Sequence, residues 1–155
     1  PGDLFELRTA GNIVPAYSQE QPAGEVATIE YALCVLGVRH IVVCGHSHCG
    51  AVGAMVRGDD LSAVPAVRSW LDDAAPEQLR RSWTDAAAGG SPDPGPDLTE
   101  HVQSHVLAQL ERLRAYPCVR EGVAAGRLTL HAWFYEVHTG AVRSHQPRTG
   151  TFQPL

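Results

Sequence analysis

One short run, Cys44-Gly45-His46-Ser47-His48-Cys49-Gly50, gathers two thiols and two imidazoles between glycines. Zinc prefers nitrogen and sulfur donors, and an imidazole and a thiolate three residues apart, His46 and Cys49, can point into one tetrahedral site. The glycines permit the sharp turn that such convergence needs. A helix beginning where the run ends turns unpaired amide N–H groups and its positive pole toward an anion, and the same pole favours a thiolate at Cys49. The spacing by itself is a weak signal. With eight histidines and four cysteines in 155 residues, a His-x-x-Cys pair arises by chance in about one such chain in five. Two donors also leave a site that wants four incomplete. The plain alternative is a polar loop with one buried thiol. Cys44 closes an apolar run and reads as core, not as a ligand, and His48 reads as solvent-facing. Cys34 and Cys118 fall on helical patterns and read as structural.

The elements on either side must position this loop. His40 to Cys44 (His-Ile-Val-Val-Cys) is a compact β-branched run before Gly45, suited to an interior strand of a parallel sheet, buried on both faces. Ala51 to Val56 opens a helix. Upstream, Leu4 to Arg8 follows a Pro-Gly-Asp turn and predicts a strand. Thr9 to Pro22, with Gly11, Asn12, Pro15 and Pro22, predicts a long loop. Glu25 to Leu36 carries Val26, Ile29, Leu33 and Leu36 at helical spacing, stopped by Gly37. Downstream, Ser62 to Ala74 and Pro76 to Ala88 have apolar stripes, and Gly89 to Pro96 is a cluster of breakers. Thr99 to Ala115 predicts a long helix with Val102, Val106, Leu110 and Leu113 on one face, and Pro117 to Ala125 a short one. Leu128 to His138 alternates as a strand, and Thr139-Gly140 returns it through Ala141 to Ser144 as a hairpin. Strands separated by helices in this order predict an α/β fold with a mainly parallel β-sheet flanked by helices and a C-terminal antiparallel hairpin. Ligands of such sheets bind beyond the carboxyl ends of the strands, where Gly45 to Gly50 lies.

Composition narrows the function classes. Twelve basic against seventeen acidic residues leave a net charge of −5, which supplies no basic footprint for nucleic acid. No apolar run reaches the roughly 18 residues of a membrane span, and no signal-peptide pattern opens the chain. Four scattered cysteines do not make a secreted disulfide scaffold, which points to a reducing, cytoplasmic setting. The length predicts a single domain over residues 1–155. Its opening on Pro1, in a turn entering a strand, leads us to expect that domain to be N-terminally incomplete, a soluble portion of something longer.

Several segments together are similar to a known family. Pro1-Gly2-Asp3-Leu4-Phe5, Arg8-Thr9-Ala10-Gly11-Asn12, Glu30-Tyr31-Ala32 and Val43-Cys44-Gly45-His46-Ser47-His48-Cys49-Gly50-Ala51-Val52 resemble, in that order, the signature of β-class carbonic anhydrases. The resemblance continues through Val64-Pro65-Ala66-Val67-Arg68-Ser69-Trp70-Leu71 and Leu130-His131-Ala132-Trp133-Phe134-Tyr135, and so runs nearly the whole chain. It implies a zinc enzyme interconverting CO2 and bicarbonate, with His46 and Cys49 as two metal ligands. It further implies Phe5 and Tyr17 at the substrate pocket and Gly50 as a backbone donor beside the metal. Tyr17 could equally anchor its loop, and Trp70, Trp83 and Trp133 read as core or subunit contacts. His48 is a candidate proton carrier. The family's Cys-x-Asp-x-Arg motif, which supplies another thiolate and an Asp–Arg pair, precedes the matching segments and is absent from these 155 residues. No catalytic residue of that pair is therefore assigned here, and the chain alone is expected to be inactive. The rival expectation is a catalytically inactive carbonic-anhydrase-like module that senses bicarbonate or mediates interactions, as a domain of an anion transporter. The resemblance also implies a homodimer or higher homo-oligomer.

Overall fold

The computed structural model describes residues 2–74 and 98–155. The expected helix at Pro76 to Ala88, the loop at Gly89 to Pro96 and Trp83 lie outside the described residues. In chain order the elements are a 3-10 turn (Ala10–Asn12), α1 (Gly24–Cys34), β1 (His40–His46), α2 (Gly50–Arg57) and α3 (Pro65–Ala74). They continue with α4 (Thr99–Arg114), α5 (Pro117–Ala124), β2 (Thr129–Tyr135), β3 (Val142–Gln146) and β4 (Thr151–Pro154). The sheet runs β1-β2-β3-β4. It begins on the parallel pair β1–β2, with Val43 opposite Ala132 and His46 opposite Tyr135, and ends as an antiparallel meander.

Local chemistry explains the boundaries. α5 starts on Pro117, whose missing N–H costs nothing at a first helical position. α2 stops at Gly58, which takes a left-handed φ of 66° and returns its N–H to the Ala54 carbonyl. α4 carries Glu100 in its first turn and Arg112 and Arg114 in its last, matching its dipole at both ends. The buried positions of α4 are Val102, His105, Val106, Gln109, Leu110 and Leu113, one stripe at helical spacing. That stripe lies across β1 and β2 and builds the main core with Val26, Val43, Val52, Tyr116, Val119, Leu128, Ala132 and Phe134. Each such large apolar side chain contributes about 1.5–3 kcal/mol by leaving water.

Three expectations are corrected. Residues 4–8 form no strand; they are exposed and pair with nothing in the sheet. A lone extended segment leaves its backbone groups to water and gains no ladder bonds, so alternation alone does not make it a strand. Consequently β1 is the edge strand among the described residues, not an interior one. Its exposure alternates: Val43 and Gly45 are buried, while His40, Val42, Cys44 and His46 are exposed. Cys44 is thus not core. A fourth correction is an omission, because β4 carries only one partly buried apolar residue, Phe152, and has no alternation to betray it.

Candidate active site

β1 delivers His46 at its carboxyl end, and Cys49 closes the loop as the residue capping α2. Gly45 sets the approach. A Cβ there would lie 2.6 Å from Val106 Cγ2 and 2.7 Å from Val102 Cγ1, so only glycine lets the strand end press onto α4. Ser47 then straps the loop to β2: its N–H donates to the Tyr135 carbonyl at 2.9 Å, and its Oγ accepts from the Val137 N–H at 3.0 Å. His48 holds a left-handed φ of 57°, and its exposed ring meets His138 edge-on at 4.9 Å.

The His46 ring is oriented by its neighbour. Nδ1 lies 2.9 Å from the Ser47 carbonyl, which can only accept, so Nδ1 carries the proton. With Nδ1 engaged in this way, Nε2 is the ring nitrogen left to face a metal. Cys49 is 3% exposed and makes no capping hydrogen bond, so its sulfur is not committed to the helix. Gly50, the first residue of α2, has open space where a side chain would sit, and its N–H has no intrahelical acceptor. His46, Cys49 and Gly50 therefore share one strand-to-helix loop. Among the described residues no group of three or more His, Cys, Asp or Glu could enclose a metal. The donor chemistry at His46 and Cys49 fits zinc, as half of a ligand set. Desolvation raises the Cys44 thiol above its ordinary range.

The other predicted residues belong to the segment before α1. Phe5 is 46% exposed in the irregular segment before the 3-10 turn. Tyr17 is half-buried, donates to Glu30 Oε1 at 3.0 Å and packs its ring 5.3 Å from Tyr116. The loop-anchor reading of Tyr17 is the one its contacts display.

Sequence reasoning missed what holds the segment beside the site. Trp70 Nε1 donates to the Ala10 carbonyl at 2.9 Å, and His105 Nε2 donates to the Gly11 carbonyl at 2.8 Å. Gln109 Oε1 accepts from the Val14 N–H at 2.9 Å, and the Tyr116 hydroxyl donates to the Pro15 carbonyl at 2.8 Å. The only sequence signal was polar residues, His105 and Gln109, inside the apolar stripe of α4. Asn12 was likewise noticed only as part of a motif. Its backbone is left-handed at φ 45°, its side chain lies next to Gly45, and its Nδ2 is buried without a hydrogen-bond partner among the described residues.

Comparison with known proteins agrees with this fold. The carbonic anhydrase family matches residues 1–142. A carbonic anhydrase of Pseudomonas aeruginosa is 44% identical over 142 residues, covering 92% of this chain and 62% of the relative. One from Synechococcus elongatus is 41% identical over 143 residues, covering 91% of this chain and 50% of the relative. The chain thus spans less than two thirds of the length of these relatives. The solved β-carbonic anhydrase CcaA superimposes with a TM-score of 0.86 at 37% identity, over 99% of this chain and 73% of that one. A tetrameric β-carbonic anhydrase of Sordaria macrospora gives a TM-score of 0.75 at 27% identity, over 99% of this chain and 71% of that one. Among the described residues, no helix is long and apolar enough to cross a membrane. With sequence and backbone in agreement along almost all of its length, the chain belongs to the β-class carbonic anhydrase family.

Proposed function

We propose that the protein is a zinc-dependent carbonic anhydrase acting on CO2 and bicarbonate, in which His46 and Cys49 are two of the metal's donors. The observation that supports this most directly is the orientation of the His46 ring. The Ser47 carbonyl engages Nδ1, leaving Nε2 to face a metal at a strand end, three residues before a cysteine at a helix start. Zinc bound there supplies acidity, lowering the pKa of water from about 15.7 to about 7. The chain's own residues position the donors. Gly45 seats the strand end on α4, Ser47 ties the loop to β2, and the free N–H of Gly50 offers a hydrogen bond to an anionic oxygen. Phe5 and Tyr17 are pocket residues by family resemblance alone.

Two donors do not complete a zinc site. We assign the other thiolate and the Asp–Arg pair to a Cys-x-Asp-x-Arg segment, which these 155 residues do not contain. The test is zinc content by elemental analysis beside stopped-flow CO2 hydration, on the 155-residue chain and on a chain extended upstream to include that motif. The short chain should hold little zinc and hydrate CO2 near background. The extended one should hold about one zinc per chain and be active, and Cys49→Ser should remove both properties. Stoichiometric zinc with full activity in the short chain would overturn the assignment of the missing donors.

A further inference from the structure

The geometry points to a second metal site, built by His40 and His131 at the opposite end of β1, for a borderline divalent cation such as Zn2+, Cu2+ or Ni2+. His40 Nδ1 lies 3.3 Å from His131 Nε2, and the ring centroids are 5.6 Å apart. Two nitrogens bound to one tetrahedral zinc at about 2.05 Å each stand about 3.3 Å from one another. The two imidazoles are therefore already spaced as neighbouring corners of a coordination tetrahedron.

The sheet register produces this pairing. His40 is opposite Thr129 and Val42 opposite His131, so the two histidines are diagonal neighbours on one face of the parallel pair. It is the face away from α4, since Val43 and Gly45 between them point into the core. His40 is exposed and His131 half-buried, which leaves the remaining coordination positions to water. Arg39, which precedes His40, and Arg127, four residues before His131, line a cleft of about 520 Å3 with Leu33, Gly37, Val38 and Gly126. The site is separate from the candidate active site. His40 and His46 are six residues apart on an extended strand, about 20 Å.

Imidazole donors select borderline d-block cations over Mg2+ or Ca2+, which take oxygen. Occupancy needs no net change of charge on the rings. Whichever facing nitrogen donates in the present hydrogen bond gives its proton to solvent, and the outward nitrogen of the same ring takes one up. The metal then replaces the shared hydrogen as the link between β1 and β2. Two protein donors make this an exchangeable site, weaker than one with four.

The test uses Cys49→Ser as background, so that the family zinc site is silent and a failure there cannot be mistaken for a failure here. Zn2+ is titrated calorimetrically into this chain and into versions that also carry His40→Gln, His131→Gln or both. Each single change should remove one zinc equivalent, and the double change should remove no more than either single one. Added Zn2+ should raise the melting temperature of the background chain and not of the His40→Gln version. With Cu2+, electron paramagnetic resonance should show two imidazole nitrogens, lost in both single variants. His40 is exposed, so His40→Gln carries the test even if His131→Gln folds poorly. Unchanged stoichiometry in His40→Gln, or losses that add in the double variant, would overturn the proposal.

Discussion

At the scale of single residues, Gly45 and His105 make the sharpest demands. A methyl group at Gly45 would collide with Val102 and Val106 on a packed helix face, not with a flexible side-chain end. Gly45→Ala should therefore cost about 1–3 kcal/mol as overpacking, and Val106→Ala in the same chain should recover part of it. Urea midpoints of the three chains check this. His105 is buried against Gly11, and burial lowers its pKa below the ordinary 6.5; the Gly11 carbonyl partly opposes this, and nearby Arg112 adds to it. The unfolded chain, titrating near the ordinary value, takes up the proton first as pH falls. The stability tied to neutral His105 is thus complete above about pH 6.5 and is lost as pH drops through the lowered folded value. His105→Gln keeps a donor for Gly11 and cannot titrate. Its unfolding free energy should fall less between pH 7 and pH 5 than that of the parent chain, and equal slopes would show that His105 does not carry the effect.

At the scale of elements, the segment from Thr9 to Tyr17 has almost no regular structure yet is held from several directions. α3 reaches it through Trp70, α4 through His105 and Gln109, and the α4–α5 junction through Tyr116. Tyr116 stays protonated at neutral pH. Burial pushes its pKa up to about 12, against a smaller downward pull from Arg112, so its hydroxyl always donates to Pro15. Tyr116→Phe keeps the ring in the core and removes only that donor. The expected loss is about 1–2 kcal/mol, because a carbonyl is left unsatisfied in a mostly buried place. Amide exchange at Val14 should speed up locally by more than the global loss explains. Uniform acceleration across the core would show instead that the bond serves the whole fold.

At the scale of the whole molecule, one edge of the sheet calls for a cover. β1 has no strand beyond it among the described residues, and Tyr135, at the His46 end of the sheet away from His40, is exposed. Trp133 Nε1 is buried there with no hydrogen-bond acceptor among the described residues. An unpaired strand edge beside apolar surface favours association. We expect a dimer or larger homo-oligomer in solution, most firmly for the chain extended upstream. Light scattering across a concentration series checks it, and a monomer of the extended chain throughout would contradict the expectation.

Local regularities were legible in the sequence. The Val102-Val106-Leu110-Leu113 stripe announced α4, Pro117 to Ala125 read as the short helix that became α5, and the β-branched run before Gly45 marked β1. These signals arise within a few residues, where backbone sterics and side-chain periodicity act. The His46-x-x-Cys49 loop was visible for the same reason, and its family resemblance extended that reading across the chain. What required the tertiary structure was every property that depends on a distant partner. Leu4 to Arg8 alternates like a strand, yet no neighbour completes its ladder. Cys44 looks like core by composition, but parity along an edge strand turns it outward. The tethers of the Thr9–Tyr17 segment join residues 60 to 101 positions apart, and the His40–His131 contact joins residues 91 apart. No local pattern encodes such pairs. They are decided by the register of β1 on β2 and by the packing of α4 beneath both strands.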